Sequence, residues 1–127
     1  MAILPGYWAQ FIVENKLRKA TFSIPWFDGD GEVINHELYL LDESQAHDEA
    51  INLWPGKRVF SDGFVPVAGD EIGTGDQYFI NTNDGPGGPL YQIDHEQVFD
   101  DGYDRSKAVS VVLASYSELV KYRSAGE

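Results

Sequence analysis

The sequence predicts an α+β fold, a mainly antiparallel twisted sheet flanked by N-terminal, middle and C-terminal helices. Three observations lead there. Apolar residues recur at helical spacing near both ends of the chain and once near its middle. Several segments between them alternate apolar and polar residues, the period of two that a half-buried strand needs. Turns rich in Gly, Asp and Pro separate those segments. The 127 residues fit a single domain spanning 1–127, and the hydrophobic fraction of 43% argues against disorder.

The elements follow in order. Residues 5–17 read as an amphipathic helix, with Pro5 suited to the first turn and Leu4, Tyr7, Trp8, Phe11 and Ile12 on a core-facing stripe. In "ATFSIPWF" Ala20, Phe22, Ile24 and Trp26 share one face of a strand, and Pro25 places that strand at an edge or a bulge. "DGDG" turns the chain into a second strand at 32–41, where Ile34, His36, Leu38 and Leu40 share a face, so the two form an antiparallel hairpin. Asp42 and Gln45 have capping-box spacing for a helix at 43–53 with Ala46, Ala50, Leu53 and Trp54 as its stripe, ended by "WPG". Extended pieces are expected at Val59–Phe60 and Phe64–Val67, and strands at 77–82 and 89–94 about the "NDGPGG" loop. After the acidic turn "DDGYDRS", "KAVSVVLA" reads as a strand with Val109, Val111 and Leu113 on one side. Ser115 and Glu118 then cap a closing helix bearing Tyr116, Leu119, Val120 and Arg123, and "SAGE" is expected to fray.

Charge narrows the functional classes. Nine Lys and Arg stand against 21 Asp and Glu, a net charge of −12. Such a field repels nucleic-acid backbones and anionic lipid and attracts basic protein surfaces, although acidity also serves simply to keep a protein soluble. There are no cysteines, which removes disulfides, cysteine–zinc sites and thiol nucleophiles. The N-terminus lacks the basic region of a signal peptide, and no apolar run is long enough to span a bilayer, so a cytoplasmic protein is expected.

The motifs that carry chemistry are broken one by one. "GDEIGTGD" has no lysine to reach distal phosphates, and where a dinucleotide fingerprint needs its last glycine stands Tyr78. Gly73 and Gly75 read instead as turn residues ahead of a strand. "DGDGE" begins like a calcium loop, but the loop's glycine and glutamate positions hold Val33 and Tyr39, leaving Asp28, Asp30 and Glu32 as solvated turn carboxylates or a weak calcium site. A zinc protease would need a second histidine where Phe99 stands. His36 reads as a hydrogen-bonded core histidine and His47 as solvated. No cofactor or metal is expected.

Taken together, "FVPVAGDEIGTGDQYFI", a Gly/Pro loop, "PLYQIDHE" and "ASYSELVKYR" resemble the SUKH superfamily of immunity proteins. The matching positions are Pro66–Ala68, Gly75-Asp76, Tyr91 through His95 and Ala114 through Leu119. The family's Asn-Gly after the first helix is absent, replaced by "ENKLRKA". The resemblance implies a SUKH-like domain in a bacterial cytoplasmic protein that binds and neutralises a cognate polymorphic toxin, is no enzyme and needs no cofactor. It also implies that shared residues such as Gly75 and Asp76 are structural, with Asp76 bonding nearby backbone amides. Candidate toxin contacts are the acidic, aromatic-bearing turns, Asp28, Asp30, Asp84, Asp100, Asp101, Tyr103 and Asp104, whose bland reading is ordinary solvated turns. The partner would carry a basic surface, with no direct nucleic-acid or membrane contact. Two other functions stay open: a small carboxylate-dependent enzyme, and a calcium- or ligand-binding module using the "DGDG" turn.

Overall fold

The computed structural model describes residues 3–27, 33–71 and 76–124, and for Trp26, Phe27, Val33 and Ile34 the backbone only. The fold is α+β. Its frame is a curled six-stranded antiparallel sheet, ordered β1 (Thr21–Phe27), β2 (Val33–Leu40), β3 (Phe64–Asp70), β4 (Tyr78–Asn81), β5 (Leu90–Ile93) and β8 (Val109–Leu113). The short strands β6 (Val98–Phe99) and β7 (Gly102–Tyr103) pair separately. The "DGDG" turn, the 72–75 segment with Gly73 and Gly75, and the end of "SAGE" lie outside the described residues.

The N-terminal helix α1 (Gly6–Glu14) starts at Pro5 as expected and buries Trp8, with Leu4, Tyr7, Phe11 and Ile12 packed on the same core. It stops three residues earlier than the pattern implied. Lys16 N donates to Val13 O and Leu17 N to Ile12 O, overlapping reverse bonds that need a left-handed residue, and Lys16 supplies it at φ 55. Leu17 is thereby folded into the core at 1% exposure.

Strand β1 pairs only with β2, so Pro25 sits in an edge strand, where a missing N–H costs no ladder bond. Ala20, Phe22 and Ile24 are all buried, as the alternation required. The end of the chain partly covers that edge: Arg123 bridges Phe22, and Ser124 N donates to Thr21 O.

The middle helix α2 (Glu43–Ile51) carries the expected capping box, with Asp42 accepting from Gln45 N and Gln45 returning to Asp42 N. Its buried stripe is Ala46 and Ala50 alone. Leu53 and Trp54 lie beyond its last turn and are exposed at 42% and 36%, correcting their placement on that stripe. After the cis Trp54-Pro55 bond, α3 (Gly56–Val59) and a 3-10 turn at Phe60–Asp62 replace the extended piece expected at Val59–Phe60. The reason is close packing. A Cβ on Gly56 would overlap the Glu49 carbonyl oxygen, so glycine lets α3 close against α2 and drop Val59 into the core.

Two apolar clusters sandwich the sheet. One joins Trp8, Phe22, Leu38, Val67, Tyr78 and Leu119 with their neighbours. The other joins Val59, Phe64, Phe79, Tyr91, Ile93 and Val98, with Ala108 of α4 (Arg105–Ala108). Adjacent residues such as Tyr78 and Phe79 divide between the two, as pleating demands.

At β8 the expected alternation fails. Leu90 pairs with Leu113 and Tyr91 with Val111, so Val112 is an extra residue, a bulge that buries it at 7% and leaves Val111 48% exposed. The closing helix is capped by Ser115 and Glu118 as expected, but Tyr116–Tyr122 is a 3-10 helix. With three residues per turn, Tyr116, Leu119 and Tyr122 face the core, and Val120 is 47% exposed.

Candidate protein-binding surfaces

Acidic residues gather where four adjacent strands share one end. Antiparallel pairing puts the middle of β2, the close of β3, the opening of β4 and the close of β5 at that end: Leu38 opposes Asp70, Glu71 N donates to Glu37 O, and Ile93 N donates to Gln77 O. The carboxylates of Glu37, Asp70, Glu71, Asp76, Asp94 and Glu96 therefore border one rim. Gln77 ties α2 to it, donating from Nε2 to Glu49 Oε1 at 2.9 Å while its Oε1 accepts from Asp70 N at 3.0 Å. The β1–β2 ladder runs on past this rim, because only Leu38, Tyr39 and Leu40 of β2 pair with β3.

Two histidines at the rim have pKa values shifted in opposite directions. His36 Nδ1 meets the Tyr78 hydroxyl at 2.9 Å, and burial lowers the His36 pKa from 6.5 against the opposing pull of Asp70. In the neutral ring with its proton on Nε2, Nδ1 accepts a hydrogen bond from the Tyr78 hydroxyl. Burial first, then the charges of Asp70, Asp76 and Glu37, pushes the Tyr78 phenol up and keeps the hydroxyl proton in place. Asp76 Oδ1 accepts from His95 N at 3.0 Å and lies 2.6 Å from His95 Nδ1, and this hydrogen bond raises the His95 pKa above 6.5. Asp76 thus bonds a backbone amide, as expected, and a side chain that the sequence reading did not connect to it. With Asp94, these residues place donor atoms within 4.8 Å of one another, the grouping among the described residues that could hold a metal ion. In the arrangement observed, Asp76 serves as hydrogen-bond acceptor for His95.

A second surface lies at the opposite end of β3. Tyr103 OH donates to Asp62 at 2.8 Å, Arg58 lies 3.6 Å from the same carboxylate and 5.6 Å over the Tyr103 ring, and Tyr103 is pushed up to about 12 by burial and by Asp62. Arg105 stacks over Phe64 and Tyr91, and Tyr91 OH donates to Asp84 at 2.7 Å. This brings Asp84 and Tyr103 together around Arg58 and Arg105. Asp104 caps α4, accepting from Ser106 N at 3.0 Å and from the Ser106 hydroxyl at 2.7 Å, which lowers its pKa.

Of the residues singled out by sequence, Asp84, Tyr103 and Asp104 have intramolecular partners here. Asp100 and Asp101 are exposed in the β6–β7 turn, and Asp28 and Asp30 lie outside the described residues. The sequence reading missed Asp62, Arg58 and Arg105, whose partners are distant in sequence, and missed the rim as a unit. A signal for the rim was present: acids close β3 and β5 and precede β4, and antiparallel neighbours put those points side by side. No family model, curated protein or solved structure matches the chain.

Proposed function

We propose that this protein is a SUKH-like bacterial immunity protein that acts in the cytoplasm by binding a cognate toxin with a basic surface and blocking it. The observation that carries this reading is the acidic rim in a chain of net charge −12. Among the described residues a single ion pair joins an Arg or Lys to a carboxylate, Arg58–Asp62. Most of the negative charge is therefore not neutralised by the chain's own cations, and it produces a field that steers a cationic protein towards the molecule. The β1–β2 ladder carries the backbone past this rim, and Asp100 and Asp101 offer a second acidic turn.

The enzymatic alternative has one observation in its favour, the Asp76–His95 pair. Neither residue lines the pocket of about 620 Å³ beside α1, so the pair is not set in that cleft. The test is association with the purified toxin encoded beside this chain, followed by surface-immobilised kinetics across NaCl concentrations. On this reading the association rate falls steeply with salt, and the variant combining Glu71→Gln with Glu96→Gln lowers it several-fold while dissociation changes less. Salt-independent association, or no association, would overturn the reading.

A further inference from the structure

A pocket of about 620 Å³ opens between α1, the link at Arg18 and Lys19, and the junction of β2 with α2. Its size falls within the range of small-molecule sites. Trp8, Ile12, Leu40 and Leu41 give it an apolar side, and Arg18, Lys19, Asp42 and Glu43 supply charge. The two carboxylates are already employed. Asp42 Oδ1 accepts from Gln45 N at 2.8 Å, and Glu43 accepts from Ile3 N at 2.7 Å and Leu4 N at 3.2 Å. The two cations are exposed, and their side chains have no hydrogen bond or ion pair among the described residues. Lys19 is held in the left-handed region at φ 61, a conformation uncommon for a residue with a side chain. The pocket thus pairs an apolar wall with two cations that have no protein partner among the described residues, in a chain that is otherwise strongly negative.

We propose that this pocket binds a small amphipathic carboxylate, such as a medium-length acyl chain, with its tail against Trp8, Ile12, Leu40 and Leu41 and its head at Arg18 and Lys19. The charge complementarity selects the head group. A guanidinium accepts a carboxylate through two parallel hydrogen bonds, and the ammonium of Lys19 adds a point charge. An amine head would be repelled by the same two cations, while Asp42 and Glu43, though still charged, have acceptor oxygens taken up by the backbone N–H groups of Gln45, Ile3 and Leu4. This site is separate from the acidic rim and does not depend on the partner-blocking reading.

Decanoate, decanol and decylamine, titrated into the full chain by calorimetry with amide NMR shifts, test the head group. Decanoate is expected to bind saturably, at least about tenfold more tightly than decanol and decylamine, with shifts centred on α1 and the β2–α2 junction. The variant combining Arg18→Gln with Lys19→Gln, both exposed, should weaken decanoate about tenfold and leave decanol unchanged. Ala9→Trp, at an exposed position lining the pocket, should abolish decanoate binding while circular dichroism stays that of the parent. Equal binding of decylamine, no saturable decanoate binding, indifference to the Arg18 and Lys19 changes, or shifts centred elsewhere would each overturn the proposal. A pocket that seats a second copy of the chain would show as concentration-dependent association lost in Ala9→Trp, and that result also overturns it.

Discussion

Lys16 occupies the position after α1 where helix termination favours glycine, and it does so at φ 55. A side chain in the left-handed region costs about 1–2 kcal/mol, partly offset because glycine gives up more chain entropy on folding. Lys16→Gly should therefore raise unfolding stability in urea by about 0.5–1 kcal/mol, and a loss would show that the lysine side chain makes a compensating contact. Asn15-Lys16 makes this turn without a glycine. The two rim histidines give a second prediction with opposite signs. His36 is lowered by burial, so the unfolded chain holds its proton more tightly, and stability from this residue is lost as pH falls from 6.5 through the folded value. His95 is raised by its hydrogen bond to Asp76, so its contribution is complete below 6.5 and is lost as pH rises through the folded value. NMR titration should find His36 below His95. His95→Gln should cost more stability at about pH 5.5 than at about pH 8.5. The reverse order of titration would sink the assignment.

At the scale of elements, the closing 3-10 helix decides which apolar residues matter. Leu119 is fully buried and sits beside Tyr116, whose ring meets Trp8 and Phe11 edge-on at 5.1 Å and 5.0 Å. An α-helix would bring Val120 towards the same face; the tighter helix turns it outward. Leu119→Ala should cost about 2–5 kcal/mol and Val120→Ala within about 0.5 kcal/mol, measured by chemical denaturation. Similar costs at the two positions would mean that the segment is α-helical in solution. The same contrast shows what sequence could and could not reveal. The β1–β2 hairpin was legible because Ala20, Phe22 and Ile24 alternate without interruption and Pro25 marks an edge. The capping boxes at Asp42 and Ser115 were legible because both partners lie within one turn. Val112 was not, because a bulge is set by pairing with β5, and Val59–Phe60 was not, because Glu49 and Gly56 are brought together only by the fold. The β6–β7 hairpin was not legible for the same reason: Val98 gains its place from Phe79 and Ile93 on other strands.

For the whole molecule, net charge was legible from composition, but its distribution required the strand order. Acids cluster where β2 to β5 share an end. Lys16, Arg18 and Lys19 stand at the other end of the β1–β2 ladder, with Arg123 bonded through its Nη1 to Lys16 O at 3.1 Å. With a single Arg or Lys ion pair to a carboxylate among the described residues, screening has little attraction to remove and much repulsion. A net charge of −12 should then make added salt stabilising. Thermal unfolding near neutral pH should move up by several degrees between about 10 mM and about 200 mM NaCl, as the screening length falls from about 30 Å towards about 8 Å. The gain should flatten beyond that range, since the repelling carboxylates on the rim are near neighbours that stronger screening reaches only slowly. Combining Glu71→Gln with Glu96→Gln removes two of those charges, so it should raise the low-salt midpoint and shrink the salt-dependent rise together. A midpoint that falls with salt would mean that attractive pairs dominate the native state, and the acidic rim could not then supply an unneutralised field for a basic partner.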